Sequence, residues 1–518
     1  TEAEEAISRD ARRKKKPCVA LIGQAGEKLS LISGICNEGG RIAARSGVGA
    51  VMGSKRLKAV VLAGTKPIPC ADRERVFALS KKLGTTLNKM SLPSGMGGML
   101  GFGGTMLGKM PSVPLDGALT AYLFKEWGTP SNTPMAITSG DGPIKNWAGG
   151  PKDVPGAVKA YNPERINRIE FQKYHCYSCP MGCGGRLDIK DIAYKGFPET
   201  HKPEYETLQA FGPLCKNNDL EAVFYINELL NRAGMDSISA GNTVAWAIEC
   251  YEAGILTKEQ TDGLELTWGN ASAMIELVER MIRREGIGDI LADGVKRAAA
   301  CYGGTERAMQ IGGQEPGMHD SRNDPQLAVH FVAEPAPGKH TIGMGLQYGA
   351  MSLCDICSWA PPAKIHPKSE DLIPNDTLAW ITKANACYSM LVDGAGGCYY
   401  AEMMGVHMWR LVDYLNAASG WDYNGDHYME IGERIQTLRQ LFNIKHGVAP
   451  SSFVLPARME GKPPLKNGPL KGVQLRNQEQ VSLYWRTFGW DEQTGIPSEE
   501  ALQNLRIPEL LAEEQYDS

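Results

Sequence analysis

Long apolar runs are missing from this chain of 518 residues. The longest, such as AVVLAG at 59–64, fall far short of the roughly 20 residues that a membrane-spanning helix needs, so no membrane span is expected. A large excess of charge of either sign is missing too. The 55 Lys and Arg stand against 59 Asp and Glu, for a formal net charge of -4, which gives no broad field for nucleic acid or anionic lipid. Nucleic-acid binding is therefore not expected. The 13 cysteines are odd in number and thinly spread, unlike the dense, even spacing of a secreted disulfide scaffold, and the first residues do not read as a secretory leader. A reducing cytoplasm is the expected location.

Glycine is abundant, with 59 residues, many of them clustered as in GMGGMLGFGG at 95–104. Such clusters mark turns and also let backbone approach a bulky ligand closely. The 42% hydrophobic and 22% charged fractions are those of a globular protein, and the length suggests about three domains.

Residues 17–66 alternate the strand-like runs CVALIG and AVVLAG with glycine-rich turns, and Pro67, Pro69 and Cys70 punctuate a boundary. The opening TEAEEAISRDARRKKKP reads as the end of an amphipathic helix carrying Ala3, Ala6 and Ile7, with no preceding cap. Within it RRKKK at 12–16 reads as a solvated face. The expectation is a chain that begins inside a β-containing domain. Helical periodicity takes over from about 72, interrupted by expected loops at 95–110 and 128–155. Segments 220–234, 239–254 and 270–286 carry apolar residues at i, i+3 and i+4 and end at glycine. Further helices are predicted at 376–390, 403–419 and 427–442. The predicted fold class is α+β, predominantly α: an incomplete β-containing domain over 1–66, then two mainly helical domains over 67–308 and 309–518.

The chemistry concentrates in HCYSCPMGCGGRLD at 175–188, where Cys176, Cys179 and Cys183 follow a C-x2-C-x3-C spacing. Structural zinc usually adds a second pair or histidines at short range, and no His or Cys lies close enough downstream here. A compact turn of this kind can instead hold three corners of an iron-sulfur cluster while a fourth thiolate arrives from afar. Spacing alone leaves Cys215, Cys250, Cys301, Cys354, Cys357, Cys387 and Cys398 open as that fourth ligand. Cys354 and Cys357 fit two buried cysteines in an apolar stretch. Cys398, in the glycine-rich break LVDGAGGCYY, is the better candidate, because glycines let a loop carry a thiolate to a cluster.

HCYSCPMGCG, DGAGGC at 393–398, EGGRIAARSGVGAVMGSKRLKAVVLAGTKPI at 38–68, PEYETLQAFG at 203–212 and WRTFGWDEQTGIP at 485–497 together resemble the tungsten-containing aldehyde:ferredoxin oxidoreductase family, in order and spacing along nearly the whole chain. The resemblance implies a bis-pterin cofactor carrying tungsten or molybdenum beside one [4Fe-4S] cluster, and it assigns Cys176, Cys179, Cys183 and Cys398 to the cluster. It implies two pterin loops, one through Asp393, Gly396, Gly397 and Cys398, the other through Asn231, Gly234 and Asp236, with Asn231 where the family has Asp. Arg41 and Arg45, among glycines, suit pterin phosphates or a magnesium bridging them. The plain alternatives are helix or turn capping for Asp236 and Asp393 and surface salt bridges for the arginines.

The implied reaction converts an aldehyde and water to a carboxylic acid and sends two electrons through the cluster to ferredoxin or an iron-sulfur electron-transfer subunit. Glu206 and His340 take the acid/base positions. His319, Asp320 and Arg322 are expected to line the site. Two rivals stand beside this reading. An aryl-CoA reductase of the same scaffold loses ground because Asn132 and Asp141 occupy the segment where an extra Glu and His are expected. A non-catalytic iron-sulfur subunit has no need of the pterin loops. The family also implies an N-terminal portion that this chain is expected to lack, supplied by a companion chain or a missing segment, and oligomerisation is open.

Overall fold

The computed structural model describes residues 5–7, 17–37, 39–91, 93 and 95–508. The RRKKK run and most of the expected opening helix lie outside the described residues.

The apolar run at 18–22 forms β1 (Cys18–Ile22), whose Val19, Leu21 and Ile22 are buried. It pairs antiparallel with β2 (Ile35–Asn37) and with β4 (Ala59–Leu62), and β2 pairs with β3 (Arg41–Ala43), giving the order β3-β2-β1-β4. This sheet is tied to the helical body through backbone. Gly34 N–H donates to Gly234 C=O at 2.8 Å, and Asp236 N–H donates to Ile32 C=O at 2.8 Å. A second antiparallel sheet consists of β5 (Glu170–Tyr174), β6 (Gly184–Asp188) and β7 (Glu199–His201). The three clustered cysteines occupy the connection between β5 and β6, so pairing of those strands closes them into one turn.

Helices make up most of the rest, as the periodicity predicts, and the protein is α+β with small sheets. The helices Leu220–Ala233 and Ser237–Glu252 start at Asp219 and Asp236, whose carboxylates accept from Ala222 N–H and Ile238 N–H. Such caps offset orphan amides at a helix start by about 1 kcal/mol each. Both helices are buried nearly all round, and a fully buried side chain such as Val223 or Ile226 contributes roughly 1.5–3 kcal/mol. The main hydrophobic core runs without interruption from Ala25 to Trp490. A smaller core joins Leu87, Phe124 and Trp127 to Met181, Met403 and Met404, with Cys179 and Cys183 packed against it. No helix among the described residues is long and apolar enough to cross a membrane.

Three local expectations change, the first being that the expected loop 128–155 holds the helix Asn132–Ser139. The glycine-rich stretch 95–110 contains the helix Leu100–Lys109 rather than an open loop. A Cβ at Gly104 would stand 2.4 Å from Met135 C=O, so glycine is what lets this helix press against the helix Asn132–Ser139. The expected helix 403–419 begins only at Leu411. Gly405 takes φ 79° against Ala350 C=O, a left-handed conformation that ends helical propagation.

Candidate functional site

Cys176, Cys179 and Cys183 are drawn together by the hairpin turn, with Cys179 N–H donating to Cys176 C=O at 3.0 Å. Cys398 follows the helix Asp376–Gly394 through a turn in which Gly396 has φ 69°, and it stands at the start of the helix Tyr399–Glu402. Although distant in sequence, it reaches the same place. Burial and the charges of Glu204, Cys398 and Cys179 push the Cys183 thiol up to about 12, with Arg41 opposing. Burial, with Cys179 and Cys176, raises Cys398 in the same sense. Among the described residues no three His, Cys, Asp or Glu side chains converge on a single ion. Four neighbouring thiols are the donor set that an iron-sulfur cluster takes.

Arg41 leaves β3 toward these cysteines. Its Nη1 donates to Glu204 Oε1 at 3.1 Å, its guanidinium lies 4.8 Å from the Tyr174 ring centre, and Cys176 and Cys183 act on its charge. Arg45 points inward. Its Nη2 donates to the Glu315 carbonyl, while Nε and Nη1 are buried without a protein partner. Buried guanidinium donors of this kind fit an anion such as a phosphate.

Glu206 sits in the first turn of the helix Tyr205–Phe211, which is buried against the core. Its Oε2 accepts from Met318 N–H at 2.8 Å. Its Oε1 lies 3.2 Å from His340 Nε2 and 3.4 Å from His319 Nε2. Neither approach has hydrogen-bond alignment, and this oxygen stays buried and unpartnered, an open acceptor between two rings. Burial raises the Glu206 pKa, while His319, the Met318 amide and Arg45 pull it back. Burial pushes His340 well below the usual histidine range, and the positive charges of His319, Arg45 and Lys339 push it further. His319 moves the other way: burial opposes its charge, but Asp141 and then Glu206 outweigh that and raise it to about 9. Asp141 Oδ2 is 2.8 Å from His319 Nδ1.

The other predicted residues are placed as follows. Asn231 is half-buried near the end of its helix, and its carbonyl faces Cys36 Sγ at 3.8 Å. Gly234 closes that helix at φ 69°. Asp236 has both oxygens engaged, by Ile238 N–H at 2.9 Å and Ser239 Oγ at 2.8 Å, yet its charge still reaches Glu206. Asp393 is half-exposed and pairs with Lys339 at 3.1 Å, which ties the turn leading to Cys398 to the segment bearing His340. Gly396 and Gly397 shape that turn. Asp320 and Arg322 form a buried ion pair at 2.6 Å, and Arg322 Nη2 also donates to Trp147 C=O at 3.0 Å. They hold the 141–147 segment in place.

Sequence reasoning missed Asp141 as a partner of His319, because nothing in TSGDGP announces a contact spanning 178 residues of chain. It also missed Asp324, raised to about 6 by burial, with Asp141 and Asp371 adding to it. Asp324 stands at the wall of a cavity of about 580 Å³ that Val113, Pro114, Leu346, Tyr348 and Ile381 also line.

Two family models match this chain: "Aldehyde ferredoxin oxidoreductase, N-terminal domain" over residues 1–64 and "Aldehyde ferredoxin oxidoreductase, domains 2 & 3" over residues 115–507. The tungsten-containing aldehyde ferredoxin oxidoreductase of Pyrococcus furiosus is 32% identical over 98% of this chain and 76% of its own length. The protein of the same name from Thermococcus kodakarensis is 31% identical over 99% and 76%. The aliphatic sulfonate oxidoreductase, WOR-like subunit, of P. furiosus is 28% identical over 96% and 72%. Among solved structures, the active-site complex of benzoyl coenzyme A reductase with 1,5-dienoyl-CoA is similar, with a TM-score of 0.69 and 23% identity over 97% of this chain and 75% of the other. That last likeness concerns the fold. The match of the N-terminal domain model to residues 1–64 leaves the expectation that the first part of that domain is absent without support. The chain belongs to the aldehyde ferredoxin oxidoreductase family.

Proposed function

We propose that the protein is a tungsten or molybdenum bis-pterin oxidoreductase. It oxidises an aldehyde with water to a carboxylic acid and passes two electrons through one [4Fe-4S] cluster to ferredoxin or an iron-sulfur electron-transfer subunit. The observation that carries this reading is the buried, open Glu206 carboxylate oxygen between two histidines, with the unpartnered nitrogens of Arg45 alongside. An electron relay without chemistry of its own has no use for that arrangement.

In this reading Cys176, Cys179, Cys183 and Cys398 hold the cluster. Arg41 and Arg45 would hold the pterin phosphates together with a magnesium ion, and Asn231, Gly234, Asp236, Asp393, Gly396 and Gly397 would border the pterins. The capping bonds of Asp236 leave each oxygen a further lone pair. When bound, the metal-pterin group supplies the two-electron acceptor. Glu206, its pKa raised by burial, takes a proton from the reacting water or aldehyde. The neutral His340 orients the carbonyl from 3.2 Å beyond the carboxylate. The overall balance is RCHO + H2O → RCOOH + 2 H+ + 2 e−.

Metal and pterin analysis tests the reading together with an assay of aldehydes against a viologen dye. One tungsten or molybdenum with about four iron atoms and two pterins per chain is expected. Iron alone, or no dye reduction by any aldehyde, overturns it. An aryl-CoA in the same assay tests the reductase reading.

A further inference from the structure

We infer that Asp141 is a positioning residue that holds His319 as the cation facing Glu206 and thereby keeps Glu206 able to accept a proton. This rests on the reading of Glu206 as the base of an aldehyde oxidation.

The geometry is a buried row of three groups. Asp141 Oδ2 lies 2.8 Å from His319 Nδ1, and His319 Nε2 lies 3.4 Å from Glu206 Oε1. An imidazole that donates from Nδ1 to one carboxylate is a counter-charge to the second only when Nε2 carries a proton as well. The ring cannot swing aside. Tyr205 lies against one part of it at 4.8 Å between ring centres and His340 at 5.7 Å, and Tyr205 is itself fixed by its hydroxyl donating to Met318 C=O at 2.6 Å.

Asp141 is fixed as firmly. Its carbonyl accepts from Asp320 N–H at 2.5 Å. Beyond it Lys145, Asn146 and Trp147 take φ values of 49°, 48° and 61°, three successive left-handed residues that cost roughly 1–2 kcal/mol each. Arg322 and Arg458 hold that run through the carbonyls of Trp147, at 3.0 Å, and Asn146, at 2.7 Å. A strained segment pinned at both ends places the Asp141 carboxylate where it meets His319.

The surrounding charges divide the two histidines. Asp141, Glu206 and Asp324 face His319 and favour its cation. His319, Arg45 and Lys339 face His340 and keep it neutral. Glu206 is faced by His319 and Arg45, which favour its carboxylate, and by Asp236, which opposes it. Neutralising Asp141 therefore acts on Glu206 at second hand: His319 loses its proton, and the Glu206 carboxylate loses its nearest counter-charge.

The test is kcat/KM against pH for the loaded enzyme, with tungsten and iron content matched between variants. In Asp141→Asn the acid limb moves up by about one pH unit or more, and Asp141→Glu restores it toward wild type. His319→Gln moves the same limb the same way and stands in if Asp141→Asn does not fold. An unshifted limb in both, or a loss of rate equal at every pH, overturns the proposal. A second readout needs no turnover. In 15N-histidine-labelled protein, the imidazole resonance that disappears in His319→Gln is cationic near pH 7.5 in wild type and neutral in Asp141→Asn. A resonance that stays cationic in Asp141→Asn overturns the proposal. Absence of aldehyde oxidation by loaded wild type refutes the functional reading instead, and the resonances then decide the role of Asp141.

Discussion

His340 Nε2 stands 3.2 Å from Glu206 Oε1 in an interior that keeps the imidazole neutral and raises the carboxyl pKa. The two shifts run toward each other, and both come chiefly from burial, which disfavours the charged form of each group. Glu206→Gln keeps the shape and removes the base, so kcat for aldehyde oxidation should fall by roughly 10²–10⁴ with metal content unchanged. A variant within tenfold of wild type would exclude Glu206 from proton transfer.

Cys398→Ser tests the reach from the distant turn to the cysteine hairpin. Iron per chain, or the cluster spectrum, should change, and dye reduction should collapse. Cys354→Ser should leave both intact, because the Cys354 thiol donates to Asp355 Oδ1 at 3.7 Å and none of the clustered cysteines acts on its charge. Equal iron loss in the two variants would remove Cys398 from the ligand set.

Arg322 and Asp320 pair at 2.6 Å with side chains 1% and 3% exposed. Arg322→Met strands a buried carboxylate and should cost about 3–5 kcal/mol in denaturation, whereas the Arg322→Met/Asp320→Leu double variant should regain much of it. An additive double variant would contradict the pairing.

Glu402 is buried beneath Ser389, and burial, with Asp393, raises its pKa to about 8. Its folded pKa exceeds its unfolded one, so the stability it contributes is complete below about pH 4.5 and drains away as pH rises through 8. Glu402→Gln should match wild type in Tm near pH 4.5 and exceed it by a few degrees at about pH 9. The same Tm difference at both pH values would rule out a titrating Glu402.

The cavity of about 580 Å³ beside Asp324 has a largely apolar wall and is of ligand size. Ile381→Trp should raise KM for bulky aromatic aldehydes about tenfold or more while sparing acetaldehyde. Equal effects on both would place the substrate elsewhere.

The parts legible in the sequence are those written locally. The spacing of Cys176, Cys179 and Cys183 needs only one hairpin, and the periodicity at 220–234 gives a helix wherever it lies. Cys398 became assignable only through resemblance, because seven distant cysteines satisfy the same spacing. The helix Leu100–Lys109 was hidden because glycine lowers intrinsic propensity, and its reason for being there is the backbone of Met135. Asp141 was hidden more deeply. Its meaning lies in His319, and no periodicity carries information over that separation.

The groups around Glu206 come from Arg45, Asp141, His319 and His340, each on a different segment, and the core behind them is continuous from Ala25 to Trp490. No short segment of the chain contains the site, and nearly all of its contacts close long loops. Its formation is therefore a late and cooperative event in folding. Partial opening of any one of these segments dismantles the charge pattern before the core itself is lost, so catalytic competence is a more sensitive gauge of native integrity than helix content.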